Sequence, residues 1–397
     1  MIILFLYFIP LFSLSVYSFS LIDPNITFFQ TKWWEIFRDK MVYFGYYRRE
    51  MSWIIYLAIV ILLFISHYFF LKRYKQFNPV KLAIIIGTIL LFSYPFLSHD
   101  FFNYMFDAKV VTVYYKNPYF YKALDFPKDP WLRFMHWTHR TYPYGPLFLL
   151  ITIIPSFLSF GKFALSFLFF KSTFIIFYIL AVFFLNKLNK RYAMIFATNP
   201  LIIIEGLVNS HNDLIGVSLG LIGVFYLLSP SRHSDPASTG EESIPPLAGV
   251  RSRFARFFGR LRFLRMTRDE LITRLIFFLS AGIKYITFPL LFLSRDKKKM
   301  NQFIFISIIG ALVYLSFKSE IQPWYFLNLF IFLPFYEQLV NRLNIFFFGL
   351  LVSYHPYIRL GGWDSLEKIN IKHWVIGVFL IINIVYLLFS RKKFSLK

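Results

Sequence analysis

Residues 52–71 read SWIIYLAIVILLFISHYFFL, a run of twenty positions without a single Asp, Glu, Lys or Arg. A helix needs about 20 apolar residues to cross the roughly 30 Å hydrocarbon core of a bilayer. In lipid every backbone polar group has to be satisfied within the protein, so a continuous run of this length indicates a helix. We therefore predict that the chain crosses a membrane here.

Other apolar runs and the overall composition extend this prediction to the whole chain. Of the 397 residues, 57% are hydrophobic and 16% are charged, whereas soluble domains are about 45–50% apolar and about 25% charged. The 54 Phe and 26 Tyr suit lipid-facing surfaces and interfacial belts. We predict an all-α, polytopic transmembrane helix bundle. The further candidate spans are 1–21, 82–97, 163–185, 192–208, 213–229, 301–317, 324–340, 344–357 and 373–390.

The net charge of +23 is distributed in short clusters between the apolar runs. Lys and Arg concentrate in cytoplasmic loops, so this pattern indicates membrane orientation and contact with anionic lipid, and no nucleic-acid partner. The basic segment 32–49 falls on the opposite side and goes against this bias. The chain has no cysteine, which excludes disulfides, thiol nucleophiles and Cys-based metal sites. The clusters predicted to be cytoplasmic are Lys72-Arg73-Lys75, Lys187-Lys190-Arg191, 251–274 and Arg391-Lys392-Lys393.

Two apolar stretches are interrupted and do not read as simple spans. Gly282, Lys284 and Pro289 divide 271–294, which we predict to be two short helices forming a hairpin. The stretch 144–160 contains two prolines and reads either as a span or as a helix along the interface. Keeping all four basic clusters on one side gives about 12 crossings, with external juxtamembrane helices and both termini inside.

The densest group of polar residues follows the third candidate span. Asp100, Asn103, Tyr104 and Asp107 are spaced i, i+3, i+4 and i+7, which places them on one face of a helix. A carboxylate at the bilayer centre costs about 2.5–3.5 kcal/mol, so such a group usually faces a cavity or a partner. The alternative is a polar helix end that meets water.

Further polar and aromatic residues fall on the same predicted external face. Tyr142 and Tyr144 lie in a proline-rich loop, and three polar residues occupy a tight turn at 211–213. Lys284 at the hairpin tip either binds an anion such as phosphate or extends its ammonium to the interface. The topology was deduced from the basic clusters alone, without reference to these residues. Their common location on the external face therefore indicates one site. The remaining candidate substrate-binding residues are His211, Asn212, Asp213, Gln322 and Trp324.

The order of these motifs resembles the GT-C-fold glycosyltransferases that use polyprenyl-phosphate sugars. The chain looks like the bacterial polyprenyl-phosphate-mannose-dependent α-mannosyltransferases over roughly 80–340. Around 100–146 it is similar, more distantly, to the catalytic subunit of the GPI mannosyltransferase. The motifs are Asp100-x-x-x-Tyr104, Asn117-Pro118-Tyr119, Tyr142-Pro143-Tyr144-Gly145-Pro146, Asn199-Pro200-Leu201 with His211-Asn212-Asp213, Lys284-Tyr285 and Pro323-Trp324-Tyr325.

The resemblance implies an external active site in which an acidic residue at the start of the first large external loop is the base. That residue is Asp100 here. In the GPI enzyme the first motif carries a second acidic residue, but Asn103 stands at that position in this chain. We therefore assign no metal ligand and leave a divalent cation, Mn²⁺ or Mg²⁺, open as a cofactor.

We predict that the chain has four parts, of which 1–75 and the loop 230–270 lie outside the resemblance. Residues 1–75 are N-terminal transmembrane helices, and 76–229 form a GT-C-like catalytic core with an external loop at 98–160. Residues 230–270 form a basic cytoplasmic loop, either an interfacial helix or a solvated linker. Residues 271–397 are C-terminal transmembrane helices.

These features predict a multi-pass glycosyltransferase of the cell membrane. It transfers a sugar, expected to be mannose, from a polyprenyl-phosphate donor to an envelope glycan or glycolipid on the extracytoplasmic face. The alternative is a polytopic transporter or a flippase for lipids or glycolipids, in which charged residues line a path near the midplane. A non-catalytic scaffold is a third reading, but it leaves Asp100 without a role.

Overall fold

The computed structural model describes residues 2–229 and 268–390. Within these ranges all regular structure is helical and there is no strand, which confirms the predicted all-α class. Most of the 230–270 loop and the basic cluster at 391–393 lie outside the described residues. The α-helices are α1 Ile2–Tyr17, α2 Lys32–Val42, α3 Arg49–Lys72, α4 Pro79–Leu90, α5 Asp100–Thr112, α6 Pro146–Leu158, α7 Phe163–Leu188, α8 Lys190–Thr198, α9 Asp213–Leu228, α10 Arg268–Ile283, α11 Lys298–Lys318, α12 Glu337–Arg342, α13 Asn344–Val352 and α14 Leu366–Phe389.

Segments of 3₁₀-helix and π-helix connect the α-helices. The principal 3₁₀ segments are Tyr285–Phe292 and Pro323–Phe332, and the π segments are Tyr43–Tyr47, Ile202–Val208 and Pro356–Leu360. Both longer 3₁₀ segments contain a proline, which lacks the N–H that a continuous α-helix requires.

Among the described residues, four helices are long and apolar enough to cross a membrane: α3, α7, α11 and α14. A fifth span results if α8 and Ile202–Val208 are counted together across a bend of 67°. The chain is thus a helical membrane protein. Several apolar helices are shorter, including the 13-residue α6, so the count of about 12 crossings stays a prediction.

Two predicted spans end earlier than their apolar runs. The run 82–97 is helical only to Leu90, and beyond it Tyr94 donates its backbone N–H to Ser18 Oγ at 2.8 Å instead of continuing the helix. The run 192–208 is divided at Asn199-Pro200, where α8 stops. In both places apolar chain leaves the helix and approaches the site described below.

The predicted hairpin at 271–294 is present, with its reversal at Lys284. Arg274 on α10 donates to the carbonyl oxygen of Leu293 at 2.8 Å, and Ser280 donates to the hydroxyl of Thr287 at 3.0 Å. This antiparallel pairing folds Tyr285–Phe292 back along α10, although the returning arm is a 3₁₀ segment. Lys284 therefore lies at the tip.

A buried lysine fixes the turn that precedes α9. Lys171 of α7 is 1% exposed, and its ammonium donates to the carbonyl oxygens of Leu207 and Val208, both at 2.7 Å, and to Ser210 Oγ at 3.3 Å. These carbonyls end the π segment, where backbone acceptors lack intrahelical partners. Ser210 has a positive φ of 56°, so the chain turns sharply just before His211.

Candidate active site

A cavity of about 730 Å³ lies between α5, the loop that follows it and the C-terminal part of the chain. Ligand sites are usually concave, mainly apolar and aromatic, with a few convergent polar groups. This cavity is lined by aromatic side chains and, in addition, by many polar and charged groups, which suits a polar ligand. The predicted site residues that line it are Asp100, Asn103, Asp107, Tyr144, Gln322 and Trp324.

Asp100 is the first residue of α5, and its side chain is 21% exposed. At a helix N-terminus the aligned peptide dipoles favour a negative charge. Burial nevertheless raises the pKa of Asp100, while the positive charges of Lys284 and Arg140 oppose that shift. The carboxylate is thus less solvated than one in water but remains close to two cations.

Asp107 lies two helical turns further along α5, about 10 Å from Asp100 by helix geometry. It is 8% exposed, and burial raises the pKa of its carboxyl to about 8. A carboxyl with this pKa is mainly protonated at neutral pH. The two aspartates face one cavity, but only Asp100 has cations beside it.

The loop after α5 forms one wall of the cavity. Asn103 donates from Nδ2 to the carbonyl oxygen of Trp137 at 3.4 Å, which joins the loop to the helix. The Arg140 guanidinium lies 4.3 Å from the ring centroid of Trp137 and forms no ion pair within 2–229 or 268–390. The loop is also anchored by Lys109 and Asp129, whose charged atoms are 2.5 Å apart.

Tyr104, Tyr142 and Tyr144 form an aromatic cluster, but only Tyr144 reaches the cavity. Tyr104 is 1% exposed, and its ring centroid is 5.0 Å from that of Tyr144. Tyr142 donates its backbone N–H to Pro118 O at 2.9 Å and its hydroxyl to Gly145 O at 3.3 Å. Tyr104 and Tyr142 thus support the side chain that faces the ligand space.

His211 lies behind the cavity surface, between two carboxylates. Its Nδ1 is 3.9 Å from Asp100 Oδ2, and its Nε2 is 3.5 Å from Glu205 Oε2. The ring also stacks on Trp324, with centroids 3.9 Å apart and an angle of 14° between the planes. With 1% exposure, His211 is a buried ring that contacts both Asp100 and Trp324, and neither of its nitrogens makes a hydrogen bond with the described residues.

Asp213 binds the hairpin tip. Its Oδ2 is 2.7 Å from Lys284 Nζ, and its Oδ1 accepts a hydrogen bond from Asn328 Nδ2 at 3.0 Å. Asn212, like Asp213, is 1% exposed and does not line the cavity. The ion pair holds Lys284, whose side chain is 21% exposed, near Asp100.

Sequence reasoning missed several residues that the structure brings to the cavity. Arg140 and His136 lie in a loop that was recognised by its prolines rather than its cations. His136 stacks on His99 at 3.5 Å between centroids, and burial lowers the pKa of both rings. Glu320, Tyr357 and Trp363 come from distant segments, and only tertiary folding unites them with α5.

A divalent-cation site was left open by the sequence. Within the described ranges no three His, Asp or Glu side chains come together as a ligand set. A divalent cation as cofactor therefore stays open, to be tested by adding Mn²⁺ or Mg²⁺ to a transfer assay.

Taken together, the cavity can hold a polar substrate, accept a proton at Asp100 and stabilise an anion at Arg140. Lys284 does not line the cavity; it is paired with Asp213, and its charge acts on Asp100. A group-transfer enzyme of the membrane has these parts. A sequence profile of the MptA_B family, described as "Alpha-(1->6)-mannopyranosyltransferase, N-terminal domain", matches residues 23–288, about two thirds of the chain.

The chain therefore belongs to this family of mannosyltransferases and is a glycosyltransferase. The match includes Asp100, Arg140, His211, Asp213 and Lys284. No curated protein and no solved structure matches the chain.

Proposed function

We propose that the protein transfers mannose from a polyprenyl-phosphate donor to a hydroxyl of an envelope glycan or glycolipid, in a GT-C-like fold. The observation that supports this most is the placement of the Asp100 carboxylate at a cavity wall, where the positive charges of Lys284 and Arg140 act on it. Transfer needs a base for the acceptor hydroxyl and positive charge for the departing phosphate.

In the proposed reaction Asp100 takes the proton of the acceptor hydroxyl. The hydroxyl oxygen then bonds to the anomeric carbon of mannose as the bond from that carbon to the phosphate oxygen breaks. The leaving polyprenyl phosphate retains the electron pair, and Arg140 and Lys284 stabilise its charge. Asp107, protonated at neutral pH, donates a hydrogen bond to a sugar hydroxyl.

A lipid-held donor accounts for the large apolar surface of this enzyme. The donor's hydrocarbon chain stays in the bilayer while its phosphate and sugar reach the cavity. We propose that the cavity opens to the extracytoplasmic side, because the basic clusters around Lys72 and Lys187 favour the cytoplasm. Membership of a mannosyltransferase family favours this reaction over transport of a lipid or glycolipid.

The test is transfer by purified protein in lipid, with radiolabelled polyprenyl-phosphate mannose and octyl α-mannoside as the acceptor probe. We expect labelled disaccharide and released polyprenyl phosphate in equal amounts. Polyprenyl-phosphate glucose and GDP-mannose serve as comparison donors. Use of GDP-mannose in place of the lipid donor contradicts the proposed donor, and no transfer from any donor contradicts the proposed function.

A further inference from the structure

A second part of the cavity wall comes from a part of the chain beyond the matched family segment 23–288. It is formed by the loop before the 3₁₀ segment Pro323–Phe332, by the π segment Pro356–Leu360 and by the start of α14. This wall is distant along the chain from Asp100, but its side chains face the same space.

A buried lysine organises the polar part of this wall. Lys372 of α14 is 1% exposed, and its Nζ donates to Glu320 Oε1 at 2.8 Å and to Gln322 Oε1 at 3.1 Å. Gln322 in turn donates from Nε2 to Glu320 Oε2 at 3.3 Å. The three side chains close a ring of hydrogen bonds, so Glu320 and Gln322 are fixed in place before any ligand arrives.

The aromatic part of the wall adjoins this ring of hydrogen bonds. Trp363 stacks on Tyr357 with centroids 5.6 Å apart and planes 18° apart, and Lys372 Nζ lies 4.6 Å from the Trp363 ring centroid. The same buried ammonium therefore positions both the polar and the aromatic groups. Trp363 is only half-buried and lines the cavity.

We infer that this wall is the acceptor subsite, and that it takes a neutral saccharide. A pyranose has one apolar C–H face and a rim of hydroxyls, which match an aromatic ring beside fixed carboxylate and amide groups. The ion pair with Lys372 compensates the charge of Glu320, so the wall offers no free cation to a phosphate. We assign the donor phosphate to Arg140, which lines the cavity from the loop after α5, with the charge of Lys284 acting from the hairpin tip.

This inference rests on the proposed function and assigns donor binding and acceptor binding to different parts of the chain. The matched segment supplies the base and the phosphate-binding cations, whereas 319–372 recognises the sugar that receives mannose. Each Glu320 oxygen accepts one hydrogen bond from a neighbouring side chain and keeps a second lone pair for a sugar hydroxyl. Since Glu320 is held by the Lys372 ion pair, we assign it to acceptor binding and Asp100 to proton transfer.

The test compares Trp363→Ala and Glu320→Gln with two matched controls on α14, Trp374→Ala and Glu367→Gln. Trp374 is 73% exposed, Glu367 is also exposed, and neither lines the cavity. Transfer is measured over a range of octyl α-mannoside and of polyprenyl-phosphate mannose. Binding of the mannoside without donor is measured by saturation-transfer NMR.

We expect the two subsite variants to raise the KM for the mannoside about tenfold, with a smaller change in the KM for the donor. Trp363→Phe should recover part of the loss because it restores an aromatic face. Mannoside binding that is lost in Trp363→Ala and kept in Trp374→Ala supports the subsite even if wild-type protein transfers no mannose, in which case the proposed function alone fails. An unchanged mannoside KM and unchanged binding in both subsite variants overturn the inference.

Discussion

Asp100 and Asp107 lie on the same face of α5, and burial raises the pKa of both carboxyls, but nearby charges also act on the pKa of Asp100. Their spacing could be predicted from the sequence, since i and i+7 coincide on a helix, and the structure places both in one cavity. The difference in their electrostatic surroundings could not be predicted from the sequence. It depends on Lys284 and Arg140, which lie 184 and 40 positions further along the chain and meet Asp100 only after folding.

The positive charge of Lys284 gives a prediction about the pH dependence of transfer. A base has to be ionised, so kcat/KM falls as the pH drops through the pKa of Asp100. Because the Lys284 charge lowers that pKa, Lys284→Met should raise it and move the acid limb of the kcat/KM profile to higher pH. Lys128→Met, which removes an exposed lysine in the loop after α5, is the control. An acid limb that stays in place, or moves to lower pH, would contradict the assignment of Asp100.

Long apolar runs correctly predicted helices, whereas the positions at which those helices end were harder to predict. The run 52–71 became α3, Arg49–Lys72, and the Gly, Lys and Pro within 271–294 correctly indicated a hairpin. The end of α4 at Leu90 was missed because hydrophobicity continues to Leu97. A run of apolar residues indicates burial but not the end of a helix. The end depends on the partners of the freed backbone groups, such as Ser18 Oγ, which accepts from the Tyr94 N–H.

The loop wall and the hairpin tip meet through two glycines. A Cβ on Gly145 would overlap the carbonyl oxygen of Gly282, a backbone atom that cannot move without the chain. Gly145 thus allows the Tyr-Pro-Tyr-Gly-Pro motif to approach the hairpin that carries Lys284.

Gly145→Ala should therefore displace the hairpin tip. We expect a loss of about 1–3 kcal/mol in the free energy of unfolding and a lower transfer rate. Gly310→Ala in α11 is the matched control, because no heavy atom lies within 4 Å of the added methyl group. Thermal unfolding in detergent and the transfer rate measure the two effects. Equal behaviour of the two variants would show that the contact is unimportant.

At the scale of the whole molecule, composition predicted the class and charge predicted an orientation. The structure confirms a helical membrane protein with four long apolar helices among the described residues, or five with the bent pair. Twelve crossings were counted from apolar runs, but many of these runs fold as short or broken helices. An apolar run does not distinguish a helix that crosses lipid from one that packs inside the protein.

Orientation can be tested directly because the chain has no native cysteine. We predict that single cysteines at His99 and Gln322 react with an impermeant thiol reagent added outside intact cells. A cysteine at Lys187 should react only after permeabilisation, since positive charge favours the cytoplasmic side. Labelling of position 187 from outside would reverse the proposed topology.

The role of Asp100 as the base is tested by the transfer rate of Asp100→Asn. Asparagine keeps the size and much of the hydrogen bonding of aspartate but cannot accept the acceptor's proton. We predict a loss of about 10²–10⁴ in rate with folding and donor binding retained, and a smaller loss for Asp107→Asn. Asp39→Asn, the same change at an exposed site on α2, should keep the wild-type rate. An Asp100→Asn enzyme that transfers mannose at the wild-type rate would contradict the central claim that Asp100 is the base.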